Sequence, residues 1–150
     1  MNDAAPPEQR RLASSGLNKT AQLYGWVALG SVLGGIARYL VSIALQFGPA
    51  FPWATLFVNV SGSFIIGFYA TLSGPDGRLF ARAAQRQFVM TGFCGGYTTF
   101  STFSLETFRL LEAGLAGAAL MNISASVVAS LLAVWIGHIL ADRLNRIRGT

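Results

Sequence analysis

The residues with chemistry to offer all sit inside apolar stretches. Arg38 interrupts the first of these, in Gly34-Gly35-Ile36-Ala37-Arg38-Tyr39. An arginine at the centre of a membrane helix costs about 2.5–3.5 kcal/mol on insertion scales, so it is expected to face protein or water. Glu106 and Glu112 fall at the end of the third stretch, which leaves no carboxylate inside the bilayer to neutralise it. An unpaired buried cation attracts anions. Snorkelling to an interface is the plainer alternative. Asn59, in Val58-Asn59-Val60, is an amide that must bond another helix or line a wet cavity. The third stretch reads Gly92-Phe93-Cys94-Gly95-Gly96-Tyr97-Thr98-Thr99-Phe100-Ser101-Thr102-Phe103-Ser104. Phe100 and Phe103 are three apart and share a helix face. Phenyl edges carry partial positive charge, so edges turned inward can meet an anion in a dry constriction. Ser101, Thr102 and Ser104 add hydroxyl donors. Asn122, Ser126 and Ser130 recur every four residues, a polar stripe that serves as packing glue or as a row of donors.

The same stretch is poor helix-forming material. Gly95-Gly96 costs about 1 kcal/mol per glycine relative to alanine, and Thr98-Thr99 follows directly. A break is expected there, and irregular backbone at membrane depth is tolerated only inside protein or beside water. The freed carbonyls and amides then become ion ligands.

Four apolar segments must position these groups. They run from about Tyr24 to Phe47, Trp53 to Leu72, Phe88 to Leu105, and within Ala113 to Ala141. Each is near the roughly 20 residues that a spanning helix needs. Gly48-Pro49-Ala50-Phe51-Pro52 and Ser73-Gly74-Pro75-Asp76-Gly77 read as tight turns. Arg78, Arg82 and Arg86 recur every four residues, on one face of a helical lead-in to the third segment. Gly30/Gly34 and Ser63/Gly67 are small-xxx-small pairs that let helix backbones pack closely in lipid.

Composition agrees. Of 150 residues, 53% are hydrophobic and 11% charged, with a mean hydropathy of +0.51. A soluble domain this short could not hide so much apolar surface. The net charge of +5 comes from basic residues flanking the apolar segments, and no nucleic-acid recognition motif accompanies it. Cys94 and His138 are each single, so neither a disulfide, a clustered metal site nor a catalytic triad can be assembled, and no enzyme is expected. The organisation expected is a disordered polar tail over residues 1–22 without a signal peptide, a four-helix transmembrane domain over 23–141, and a basic tail over 142–150.

On Gly92–Ser104, Gly34–Tyr39 and Asn59–Gly67 the chain resembles the Fluc (CrcB-type) fluoride ion channel family, over about Tyr24 to Leu140. The resemblance implies an all-α membrane protein with four transmembrane helices per subunit, the third broken at mid-membrane. It implies antiparallel dimers, of the chain with itself or a homologous subunit, with pores along the interface. It implies passive export of fluoride across the cell inner membrane. By position, Phe100 and Phe103 would be the pore phenylalanines, Asn59 the pore amide and Arg38 the vestibule cation. Ser101, Thr102, Ser104, Asn122, Ser126 and Ser130 would form a polar track for fluoride. A structural, untransported Na+ would be held by the backbone carbonyls of Gly95 and Thr98. Asn122 departs from the tyrosine that begins this track in some members, although both side chains donate. Independently, a four-helix bundle has no lumen, so conduction calls for an interface. The competing reading is a small four-helix proton-coupled multidrug exporter, which would need a carboxylate in the first helix where this chain has Arg38. A non-conducting scaffold would leave the buried polar groups without use.

Overall fold

The computed structural model describes residues 7–45, 51–75 and 77–147, with side chains from residue 16 onward. The described backbone is helical: α1 (Pro7–Ala44), α2 (Trp53–Leu72), α3 (Ala83–Gln87), a π-helical stretch (Phe88–Cys94), α4 (Gly95–Tyr97), α5 (Phe100–Glu112) and α6 (Ala116–Arg146). Among the described residues three helices are long and apolar enough to cross a membrane: Gly16–Ala44 within α1, Trp53–Leu72, and Ala116–Arg146. The third apolar segment is assembled from α3, the π-helical stretch, α4 and α5.

Two interfaces organise the bundle. α1 lies along the π-helical stretch and α4, where glycine faces glycine. A Cβ built on Gly30 would meet Gly92 Cα at 2.9 Å, and one on Gly34 would meet the Tyr97 amide at 2.8 Å. Gly92 would in turn meet the Val27 carbonyl at 2.8 Å. Each side chain deleted lets the two backbones approach, the packing mode that lipid favours because apolar side chains gain little by leaving it. α2 runs alongside α6 in the same direction. A Cβ on Gly137 would lie 2.5 Å from the Phe64 carbonyl, and Thr71 Oγ1 lies 2.8 Å from His138 Nδ1. Val58 and Asn122 are the largest fully buried side chains.

The ends are held by polar clamps. The Arg78 amide donates to Asn145 Oδ1 at 3.0 Å and its guanidinium to the Leu144 carbonyl at 3.0 Å, while Arg86 donates to the Ser73 carbonyl. The two guanidinium bonds satisfy carbonyls that helix C-termini leave open. α5 ends in a Schellman turn. Gly114 takes φ +72°, and the Gly114 and Leu115 amides donate to Leu111 and Leu110.

Two boundaries differ from the sequence expectation. Residues 7–22, expected as an irregular tail, belong to α1. Good helix formers such as Glu8, Gln9, Arg10 and Leu12 carry the helix outward, yet packing begins only near Val27, and nothing lies within 4 Å of a Cβ on Gly16 or Gly25. Of the basic tail expected over 142–150, residues 142–146 continue α6. Residues 1–6, 148–150 and most of the turn at 48–52 lie outside the described residues.

Candidate functional site

The site is built around two extended residues. α4 ends at Tyr97. Thr98 (φ −78°, ψ 161°) and Thr99 (φ −152°, ψ 127°) leave the helical region, and α5 begins at Phe100. Gly95 and Gly96 are themselves helical, so the interruption falls at the threonine pair rather than at the glycines. Threonine is the better residue for this role. Its hydroxyl replaces the lost helical partner: Thr99 Oγ1 accepts from the Thr102 amide at 3.1 Å and caps α5. Thr98 Oγ1 donates to the Cys94 carbonyl at 2.9 Å, closing the end of α4.

Neighbouring helices splint the interruption. Asn59 Nδ2 donates to the Thr99 carbonyl at 3.0 Å, and the Thr99 amide donates to Asn59 Oδ1 at 2.8 Å. One side-chain amide thus pairs with one peptide, as a strand neighbour would. Arg38 Nη1 reaches the Thr98 carbonyl at 3.3 Å from α1. Gly62 makes room on α2, since a Cβ there would collide with the Thr98 side chain and lie 3.3 Å from the Tyr97 ring. Tyr97, buried, stacks on Phe93 and shares a 3.1 Å hydrogen bond with Ser61.

Asn59 is therefore as much a structural part as a functional one. Thr99 is 8% exposed, and losing its amide partner leaves two peptide groups unpaired. Each such group costs about 1–3 kcal/mol. Asn59→Leu, similar in volume but without donor or acceptor, is expected to lower the thermal midpoint in detergent by several degrees relative to the unaltered chain. An unchanged midpoint would mean that the pairing contributes nothing.

Most of the predicted residues converge. A cavity of about 660 Å³ is lined by Asn59, Gly95, Thr98, Phe100, Phe103, Ser126 and Ser130, among others. Phe100, 79% exposed, and the half-buried Phe103 tilt against each other with ring centroids 5.7 Å apart. They stand in the first turn of α5, whose open amides favour an anion. Thr99 Oγ1 lies 3.3 Å from Ser101 Oγ and donates to Thr102 Oγ1 at 3.0 Å, which makes a hydroxyl cluster at that helix start. Arg38 and Thr102 line a second cavity, of about 440 Å³, together with Thr55, Thr99 and Glu106. Thr99 belongs to both. Ser101 and Ser104 are exposed and line neither. Asn122 is fully buried, donates to Thr107 Oγ1 at 2.9 Å, and lines neither cavity. In this chain it ties α6 to α5.

Sequence reasoning did not place Thr55, Thr99 or Glu106 in the site, although it named the last two for other reasons. Glu106 Oε2 is shielded from solvent and has no hydrogen-bond partner. Its position four residues after Thr102 was a signal, since that spacing keeps it on the Thr102 face of α5. Among the described residues no group of three His, Cys, Asp or Glu could hold a metal ion. The backbone suits a monovalent cation better. In a continuous helix the Thr99 amide would donate to the Gly95 carbonyl. Here it donates to Asn59, which frees Gly95, and neutral carbonyls suit a singly charged ion.

Comparison with known proteins gives the family. The family model described as CrcB-like protein, Camphor Resistance (CrcB), matches residues 25–138. A protein of Bradyrhizobium diazoefficiens named "Fluoride-specific ion channel FluC 1" is 63% identical over 130 residues, 87% of this chain and 92% of that protein. A protein of Rhodopseudomonas palustris with the same name is 64% identical over 136 residues, 89% of this chain and 96% of its own length. One of Opitutus terrae, named "Fluoride-specific ion channel FluC", is 52% identical over 130 residues, covering 85% of this chain and 98% of its own. With its three apolar helices and these matches, the chain is a multi-pass membrane protein that belongs to the CrcB family.

Proposed function

We propose that this protein is a fluoride-specific channel of the cell inner membrane, which lets fluoride leave passively and so lowers its cytoplasmic concentration. The observation that carries the reading is the convergence of Asn59, Phe100, Phe103, Ser126 and Ser130 on one cavity at the start of α5. Fluoride is small and strongly hydrated, so a path that admits it must replace its water with closely spaced donors. The Asn59 amide retains a second N–H, and Ser130 and the α5 amides supply others, while the Ser126 hydroxyl donates to Asn122 Oδ1. Phenyl edges complete the ring of partial positive charge. The names of the relatives support the choice of ion and do not favour the exporter reading.

Two subunits side by side in opposite orientation make the pathway. The cavity is open on the surface of one chain, and Phe100, which lines it, is exposed. A facing subunit would close it and exclude lipid. The interruption at Thr98-Thr99 then lies at mid-membrane, inside protein, where irregular backbone is tolerated. The carbonyls of Gly95 and Thr98 would hold a structural Na+ that offsets the negative ends of their dipoles and is not transported. Ser101, Thr102, Ser104 and Asn122 are assigned to the fluoride track by position alone; in the single chain Ser101 and Ser104 stand outside both cavities and Asn122 is bonded to Thr107.

The test is flux. Protein reconstituted in liposomes should dissipate a fluoride gradient, read with a fluoride electrode, with no proton gradient imposed. Chloride efflux should stay at the level of empty liposomes. Equal fluoride and chloride efflux would overturn the selectivity, and fluoride efflux that requires a proton gradient would return the exporter.

A further inference from the structure

We infer that Arg38 sets the affinity of the cation site at the interruption, holding it weaker than the bare carbonyls would make it. The inference rests on the Na+ reading above. Arg38 comes from α1, yet its guanidinium donates to the Thr98 carbonyl, one of the two oxygens assigned to the ion. The side chain is half-buried, and among the described residues it has no carboxylate within ion-pairing distance. Glu106 lines the same cavity without forming such a pair.

A carbonyl oxygen has two lone pairs, so it can accept from a guanidinium and still ligate a metal ion. The two cations then share one oxygen and repel each other. Burial strengthens that repulsion, because little water lies between them to screen it. Arg38 also withdraws electron density from the oxygen by hydrogen bonding, in the same direction. A site of neutral carbonyls beside a fixed positive charge fills only when the free cation is abundant. Arg38 therefore fixes the Na+ level at which the interruption is locked. Asn59 acts differently. Its amide holds the neighbouring Thr99 peptide and carries no charge, so it shapes the site without opposing the ion.

The experiment reads stability rather than flux. The thermal midpoint of the detergent-solubilised assembly is followed as Na+ replaces N-methyl-glucamine at constant ionic strength. Arg38→Gln removes the charge and keeps an amide donor on a shorter side chain. Arg38→Met removes both while keeping the stem, and carries the test if the glutamine variant fails to assemble. Arg38→Lys keeps the charge on a single donor. The neutral variants should reach half-maximal stabilisation at a Na+ concentration at least about tenfold below that of the unaltered chain, while Arg38→Lys stays within about twofold of it. Neutral variants with unchanged or weaker Na+ dependence would overturn the inference and leave the Na+ site standing. A lysine variant that behaves like the neutral ones would overturn it too, since charge would not be the cause. If the unaltered chain is indifferent to Na+, the cation site itself falls, and this inference with it.

Discussion

Fluoride efflux from liposomes should drop by about tenfold or more in Phe100→Ile and in Phe103→Ile, with assembly intact. A tenfold loss corresponds to about 1.4 kcal/mol on the barrier, within the range of one specific ring contact. Isoleucine keeps apolar bulk and removes the polarised edge, so the change isolates the ring's electrostatics from its volume. Phe100 is 79% exposed in the single chain, so its fold loses little when the ring goes. Phe103 is half-buried and tilts against Phe100, and Phe103→Ile should cost somewhat more stability. Size-exclusion elution and thermal midpoint report assembly, and the fluoride electrode reports flux. Wild-type flux from both variants would assign the rings to packing. Loss of assembly in step with loss of flux would do the same.

Both termini are expected to stay protected when intact cells are labelled with a membrane-impermeant thiol reagent. Lys19 lies in the N-terminal half of α1, Arg78, Arg82 and Arg86 where α2 hands over to α3, and Arg143 and Arg146 where α6 ends. The bonds from Arg78 to Leu144 and Asn145, and from Arg86 to Ser73, bring two of those places together. Arg109, near the end of α5, is the cation that stands at the opposite end. Arg10 and Arg11 add to the first group by position in α1. The positive-inside rule then puts both termini in the cytoplasm. An antiparallel pair in which every copy of this chain points one way requires a homologous partner of opposite orientation. The experiment replaces Cys94 with alanine and adds one cysteine near each terminus in turn. Labelling of about half the molecules at each terminus would mean that the chain inserts both ways and pairs with itself.

The membrane class, the helices and the third-segment residues were legible in the sequence because they depend on composition and spacing. Lipid imposes a length of apolar helix that shows as unbroken stretches, and small-residue pairs mark where backbones touch. Gly30 and Gly34 do meet Gly92 and the Tyr97 backbone. Phe100 and Phe103 share a face because helical periodicity requires it. The threonines were legible only in part. Gly95-Gly96 drew attention by propensity together with Thr98-Thr99, yet the glycines stay helical, Gly96 packed against the Ser31 backbone, and the interruption falls at Thr98-Thr99. There a hydroxyl cap and a side-chain amide replace the missing helical bonds.

What the sequence alone determined is the inventory: four apolar segments, one cation without a carboxylate in its segment, one mid-segment amide, and a donor-rich third segment. What only the tertiary structure decided is which of these groups are already engaged. Asn59 pairs with the Thr99 peptide, Arg38 with the Thr98 carbonyl, and Asn122 with Thr107. The physical reason is that a hydrogen bond is short and directional, while the residues it joins here stand far apart along the chain on different helices. Helical spacing places side chains on a face, but only the crossing of α1, α2 and α6 with the third segment fixes which backbone groups those side chains can reach.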